Sequence, residues 1–212
     1  MPTGHFYADP LKKLVQFIVA GDSDTAIRLL DASPELAGAS AAYGATRRSP
    51  TADFFERIAH YMYAGDTALH MAAAGLQPRV VEKLITMGAD VHARNRRGAE
   101  PLHYAADGGP GLVAWSPIDQ SKIIALLIGS GANPNAVDKS GVAPLHRAVR
   151  NRSAAAVEAL IDGGANLNAP NRSGSTPKQL ATKNTGHSGS GTDEAKAQQK
   201  DILRLLDERG TV

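Results

Sequence analysis

Thr67-Ala68-Leu69-His70, Glu100-Pro101-Leu102-His103 and Ala143-Pro144-Leu145-His146 are three copies of one short tag, and their spacing decides the fold. Each is followed by an Ala-rich stretch, an apolar block and a closing triplet: Gly88-Ala89-Asp90, Gly131-Ala132-Asn133 and Gly164-Ala165-Asn166. A glycine stands two residues before each tag, at Gly65, Gly98 and Gly141, and again at Gly174, where a degenerate fourth copy opens with Thr176-Pro177. The successive spacings are 33, 43 and 33 residues. A fixed period between about 20 and 50 residues marks an array of units, each able to bury its apolar face only against a neighbour. The excess in copy two falls between its two helices, as an insertion over 108–117, and a second insertion, 184–192, occupies the same place in copy four.

The tags have a local logic. Thr67 and Thr176 can cap a helix by accepting a backbone N–H, and Pro101, Pro144 and Pro177 stand in a first turn, where a missing N–H costs nothing. Leu69, Leu102 and Leu145 open an apolar stripe continued by Ala72/Ala73, Ala105/Ala106 and Ala148/Val149. The second helices carry Val80, Val81, Leu84 and Ile85, then Ile123, Ile124, Leu127 and Ile128, then Val157, Leu160 and Ile161, one buried face each. Gly88, Gly131 and Gly164 supply the left-handed residue that ends each helix.

These residues resemble the ankyrin repeat, a β-turn followed by two antiparallel helices with a Thr-Pro-Leu-His-x-Ala start. The resemblance covers residues 65 to 210 and implies an all-α repeat solenoid stacked into a curved single domain. It divides the chain into N-terminal capping helices and linker (1–64), repeats over 65–97, 98–140 and 141–173, and a C-terminal capping repeat (174–212). Glu100 and Ala143 depart from the Thr of the pattern, and Gln179 from its His.

Composition agrees. The 212 residues are 42% hydrophobic and 21% charged, with a net charge of +2, which excludes fibrous and wholly disordered classes. Cysteine is absent, so disulfide scaffolds, thiol nucleophiles and thiolate metal sites are excluded. Aromatics are only 5%, and small aliphatic helices have to do the packing. Met1 to His5 carry no signal-like start, and the run Leu14 to Ala20 is far short of the roughly 20 residues that span a bilayer. A cytoplasmic, soluble monomer is expected.

Outside the repeats, Leu11–Ala20 and Asp24–Leu30 are expected to form a helix pair with Leu14, Phe17, Ile18, Ile27 and Leu30 inward. Residues 38–52, small and polar, take the place of a finger and are expected to be flexible. A third helix is expected over Ala52–Tyr63, with Phe54, Phe55, Ile58, Ala59 and Met62 on its core side. At the far end Ile202, Leu203 and Leu206 face inward while Lys196, Lys200, Arg204 and Glu208 give a closing helix its wettable face.

Chemistry is sparse. His70, His103 and His146 recur at the repeat period, and each is expected to satisfy buried backbone or the neighbouring repeat's loop. His5, His60, His92 and His187 show no ligand spacing, and no nucleophile or phosphate-loop motif occurs. No metal, cofactor or enzyme activity is expected. Gly186–Gly191 looks like a phosphate cradle, but Asp193 and Glu194 in the following first turn oppose an anion and suit the helix dipole. Trp115, alone in the first insertion, is either a binding anchor or, as favoured, tucked onto the adjacent helix. With Arg152 and His187 it defines an alternative rim site for a small ligand or anion.

The resemblance also implies a partner surface at the finger tips and the ends of the first helices. On this chain that surface is Arg94, Arg96, Arg97, Lys139, Arg150, Arg172 and Lys183, seven bases set against Asp66 and Asp107. The plain alternative is a row of solvated turn residues. The sharper expectation is a groove for an acidic protein segment. Nucleic acid is disfavoured, because no aromatic residue is interleaved with the arginines.

Overall fold

In the computed structural model, residues 9–46, 53–182 and 192–210 are described, and they form two layers of antiparallel helices. One layer contains α1 (Pro10–Ala20), α3 (Ala68–Ala74), α5 (Pro101–Ala105), α7 (Pro144–Arg150) and α9 (Pro177–Thr182). The other contains α2 (Ser23–Ala32), α4 (Pro78–Thr86), α6 (Pro117–Gly129), α8 (Ala154–Asp162) and α10 (Asp193–Arg209). Each helix packs on its predecessor and successor within its own layer, α1 on α3, α3 on α5, α2 on α4 and so to the end. The expected all-α solenoid is what the chain forms.

Local chemistry explains the boundaries. Asp9 and Asp22 accept from the Leu11 and Thr25 amides, each at 3.0 Å, starting α1 and α2. Each even-numbered helix from α4 to α8 then ends in one device: Gly88, Gly131 and Gly164 take φ of 84°, 99° and 89°. The next amide turns back onto the helix, Ala89 to Leu84, Ala132 to Leu127 and Ala165 to Leu160, at 2.9–3.0 Å. The Asp or Asn that completes the triplet caps the following turn, Asp90 accepting from the His92 amide at 2.8 Å and Asn133 from Asn135 at 2.9 Å.

Between repeats the chain makes a finger. Asn95, Asp138 and Asn171 each turn a side-chain oxygen onto the amides two and four residues ahead, at 2.8–3.1 Å. Neighbouring fingers are zipped together by Arg96 N–H to Ala64, Lys139 N–H to Arg97 and Arg172 N–H to Ser140. Gly141 sits at φ 70°, and a Cβ there would lie 2.7 Å from the Arg172 backbone nitrogen, so no other residue fits the zip.

The core is the stripe read from the sequence. Leu69, Leu102, Leu145, Ile123, Ile124, Leu127 and Leu160 are all buried, with Ala72, Ala105 and Ala148 between them. Leu14, Ile18 and Leu30 close one end, and Ile202, Leu205 and Leu206 the other.

Two expectations fail near the N-terminus. The segment read as a third helix over Ala52–Tyr63 is, in its described part, a hairpin: β1 (Phe54–Phe55) pairs antiparallel with β2 (His60–Tyr61) across a 3-10 turn, Glu56–Ile58. Phe54 stacks on Tyr61 with ring centroids 4.6 Å apart, the cross-strand aromatic contact that favours a ladder over a helix. Ala59 carries the turn at φ 47°, which no helix would allow. Of the five residues assigned to the core side, Ile58 and Met62 are buried and Phe55 partly so, while Phe54 and Ala59 are exposed. The preceding segment, expected to be flexible, is pinned in its first half: Ala41 pairs with Asp66 and Gly65, and the Ala45 N–H donates to Met62. Residues 47–52 lie outside the described part.

Candidate functional site

The three repeat histidines do what their period predicts, and the mechanism is specific. In each, Nδ1 accepts the amide of the residue that starts its own helix: Thr67, Glu100 or Ala143, at 3.1–3.2 Å. Nε2 then reaches the next repeat's carbonyl, at Ala99, Val142 or Ser175, at 3.1–3.2 Å. One nitrogen accepting and the other donating fixes a neutral tautomer. Burial pushes all three rings below the ordinary histidine range, His103 to about 4. They are rungs of the scaffold, and Gln179 keeps half the role in copy four by accepting from the Thr176 amide at 2.9 Å.

The polar chemistry lies instead in the groove between the fingers and the odd-numbered helices. Arg147 on α7 is buried and bridges two carboxylates, Asp107 at 2.6 Å and Asp138 at 2.9 Å. His60 of the hairpin reaches Asp107 from the other side at 3.1 Å. Burial alone would raise the Asp107 carboxyl, but the Arg147 charge and the His60 bond outweigh it and hold it well below the usual carboxylate range. Asp138 is lowered in the same way against its own burial, by Arg147 and the Val142 and Ser140 amides. Behind this cluster Tyr104 donates to buried Asp66 at 2.8 Å, and burial together with that carboxylate raises the phenol. Asn95 also donates to Asp66, at 2.8 Å. Asp66 is therefore an internal anchor and no part of an open surface.

Among the described residues two cavities lie along this groove. One of about 260 Å³ is floored by Asp107, Asp138 and Arg147, with Arg97 and Arg150 at its edge. The other, of about 510 Å³, lies beside Arg96, Arg97 and Lys139. Tyr61 and Tyr63 wall both. Of the residues proposed from the sequence, Arg96, Arg97, Lys139 and Arg150 are exposed and gathered here. Arg94 is exposed but spent on Glu100, with Nε and Nη2 each 2.9 Å from the same carboxylate oxygen. Arg172 projects from the next finger and lines neither cavity, and Lys183 lies outside the described residues.

The tyrosines change one expectation. Tyr63 lies under both Arg96 and Arg97, whose guanidinium carbons are 5.3 and 5.1 Å from its ring centre. An aromatic residue is thus interleaved with the arginines after all, brought from 33 residues upstream by the hairpin that the helical reading missed. Arg147 was missed too, yet its signal is in the sequence. It follows the tag histidine where the other copies carry Met71 and Tyr104, a slot buried in all three.

The matches to known families follow the same register. A model of ankyrin repeats in three copies matches residues 112–191, and a model of the single ankyrin repeat matches residues 64–96. The chain belongs to the ankyrin-repeat family. No curated protein matches it. Ankyrin repeats are scaffolds used for protein–protein contact, and the described helices supply that scaffold here.

The rim between the ankyrin helices is built for structure. Trp115 donates from Nε1 to the buried Gln120 at 2.9 Å. Gln120 in turn donates to the Ala105 and Gly108 carbonyls and accepts from Ser153 at 2.7 Å, tying the insertion to two repeats. The tucked reading of Trp115 therefore holds. Arg152 is buried at φ 58°, and His187 lies outside the described residues, as does the Gly186–Gly191 stretch. Of the rim trio the structure describes Trp115 and Arg152. Among those residues no group of three His, Asp or Glu side chains could hold a metal, and no helix is long and apolar enough to cross a membrane.

Proposed function

We propose that this chain is a non-catalytic ankyrin scaffold that binds an acidic segment of a protein partner along the groove between its fingers and odd-numbered helices. The observation that carries the reading is the pairing pattern of charges. Arg147 pairs with both Asp107 and Asp138, leaving that cluster one net negative charge, while four cations, Arg96, Arg97, Lys139 and Arg150, project at the groove edge. The groove therefore presents positive charge although the chain as a whole is nearly neutral. Tyr61 and Tyr63 add the amphipathic walls that binding surfaces favour. The units of this scaffold are repeats over 65–97, 98–140 and 141–173 between caps at 1–64 and 174–212, and one chain suffices to build the groove.

Fluorescence anisotropy with a labelled hexaglutamate peptide tests this reading. Binding weakens steeply with added salt and is lost in the triple reversal Arg96→Glu/Arg97→Glu/Arg150→Glu. An affinity unaltered by that reversal eliminates the groove as the site.

A further inference from the structure

The larger groove cavity differs in kind from its neighbour. Three cations line it, Arg96, Arg97 and Lys139, together with the hydroxyl-bearing residues Thr46, Tyr61, Tyr63 and Ser140, and Ala45 completes the wall. No Asp or Glu lines it among the described residues. The cations are held together by the fold: Lys139 N–H donates to the Arg97 carbonyl at 2.9 Å, locking two fingers in register. The guanidinium forks are also fixed in advance. Both stack on Tyr63, Arg97 donates to the Tyr63 hydroxyl at 2.9 Å, and Arg96 donates to the Ala45 carbonyl. Three like charges in one cavity repel, and an anion relieves that repulsion.

We propose that this cavity is a phosphoryl subsite, which receives the phosphate of a phosphorylated side chain in the partner segment. The inference rests on the groove reading and narrows the partner's chemistry. A phosphate monoester carries about −1.5 to −2 charge and three strong acceptor oxygens, against a single charge and two oxygens for a carboxylate. Three cations carry more charge and more N–H donors than a carboxylate can engage, and planar guanidinium forks match phosphate oxygens pairwise.

A peptide fits better than a nucleic acid because of what lies next door. The smaller cavity shares Tyr61, Tyr63, Arg97 and Ser140 with the larger one, but its floor carries the Asp107 and Asp138 carboxylates. A polynucleotide has an obligatory phosphate at each short backbone step and sets the next one against them. A peptide can place a neutral residue there.

The test is an NMR titration of the full ¹⁵N-labelled chain with the capped tripeptide Gly-phosphoserine-Gly, its glutamate counterpart, inorganic phosphate and a dT decamer. The phosphopeptide is expected to shift the amides of Arg96, Arg97, Lys139 and Ser140 and to bind at least about five-fold more tightly than the glutamate peptide. Lys139→Glu is expected to abolish that binding, whereas Lys122→Glu, on exposed α6 surface, leaves it intact. Equal affinity for both peptides, with binding still lost on reversing groove charges, would overturn the phosphoryl subsite and leave the acidic-segment groove standing. Inorganic phosphate binding as tightly as the phosphopeptide would assign the cavity to the free anion. Tighter binding of the decamer at the same amides would assign it to nucleic acid. Neither peptide shifting these amides would overturn the groove itself.

Discussion

His103 joins two repeats through a single ring: Nδ1 accepts the Glu100 amide at 3.1 Å, and Nε2 donates to the Val142 carbonyl at 3.1 Å. Both partners are backbone groups, so the bond is blind to side-chain identity and can repeat along the stack. His103→Ala strands a buried amide and a carbonyl and is expected to cost about 2–4 kcal/mol. His103→Gln keeps the local acceptor, as Gln179 does in copy four, and is expected to cost only about 1–2 kcal/mol. Urea unfolding of the two variants checks the order.

Acid should unfold the stack through these rings. His103 is neutral in the fold with its pKa near 4, against 6.5 when exposed, so between those values the unfolded chain binds more protons and stability falls as pH falls. Its share between pH 7 and pH 4 is about 3 kcal/mol. His70 and His146, also lowered by burial, act in the same direction. Asp107 and Asp138, held low by Arg147, add their loss only at more acid pH. Melting temperature measured from pH 7.5 to 4 should decline through the range where exposed histidine titrates, and less in His103→Gln.

Leu102 and Leu127 sit in the two layers of one repeat and are both essentially inaccessible to solvent. Truncating either to Ala is expected to cost about 2–5 kcal/mol, from lost transfer energy plus the cavity left behind. Calorimetric melts of Leu102→Ala and Leu127→Ala measure this, and a shift near zero for both would count heavily against the stacking.

Arg147→Ala leaves buried Asp138 and partly buried Asp107 without their cation and is expected to cost about 3–5 kcal/mol. Neutralising all three groups together, as Arg147→Met/Asp107→Asn/Asp138→Asn, should recover most of that loss. Asparagine at 138 keeps the finger cap, as Asn95 and Asn171 show in the neighbouring fingers. Denaturant midpoints of the two variants give the comparison.

The repeat core was legible because its determinants are local. Tag prolines, the histidine that reaches back three residues and the glycine that ends each second helix all act within one turn of chain. The hairpin over 54–61 was not legible. Its residues fit a helical period as well as an alternating one, and what selects the strand is pairing across the turn, extended by the Met62 N–H to Asp53 and the Ala45 N–H to Met62, which periodicity does not reveal. The groove suffered accordingly. Its arginines could be placed from the finger pattern, but their tyrosine wall came with the hairpin, and the Arg147 cluster needed the spatial meeting of copies two and three. Arg94 shows the converse, a finger arginine in the right place whose charge is spent on Glu100.

The central claim, that the distribution of charge and not its sum makes the binding surface, is tested most directly by two triple reversals of equal net charge. One is Arg96→Glu/Arg97→Glu/Arg150→Glu in the groove; the other is Arg79→Glu/Lys83→Glu/Lys122→Glu on α4 and α6. Hexaglutamate affinity by anisotropy at about 50 mM salt should fall at least about ten-fold in the groove variant and less than about two-fold in the other. Equal losses in both would contradict the account, because binding would then follow net charge and no particular face.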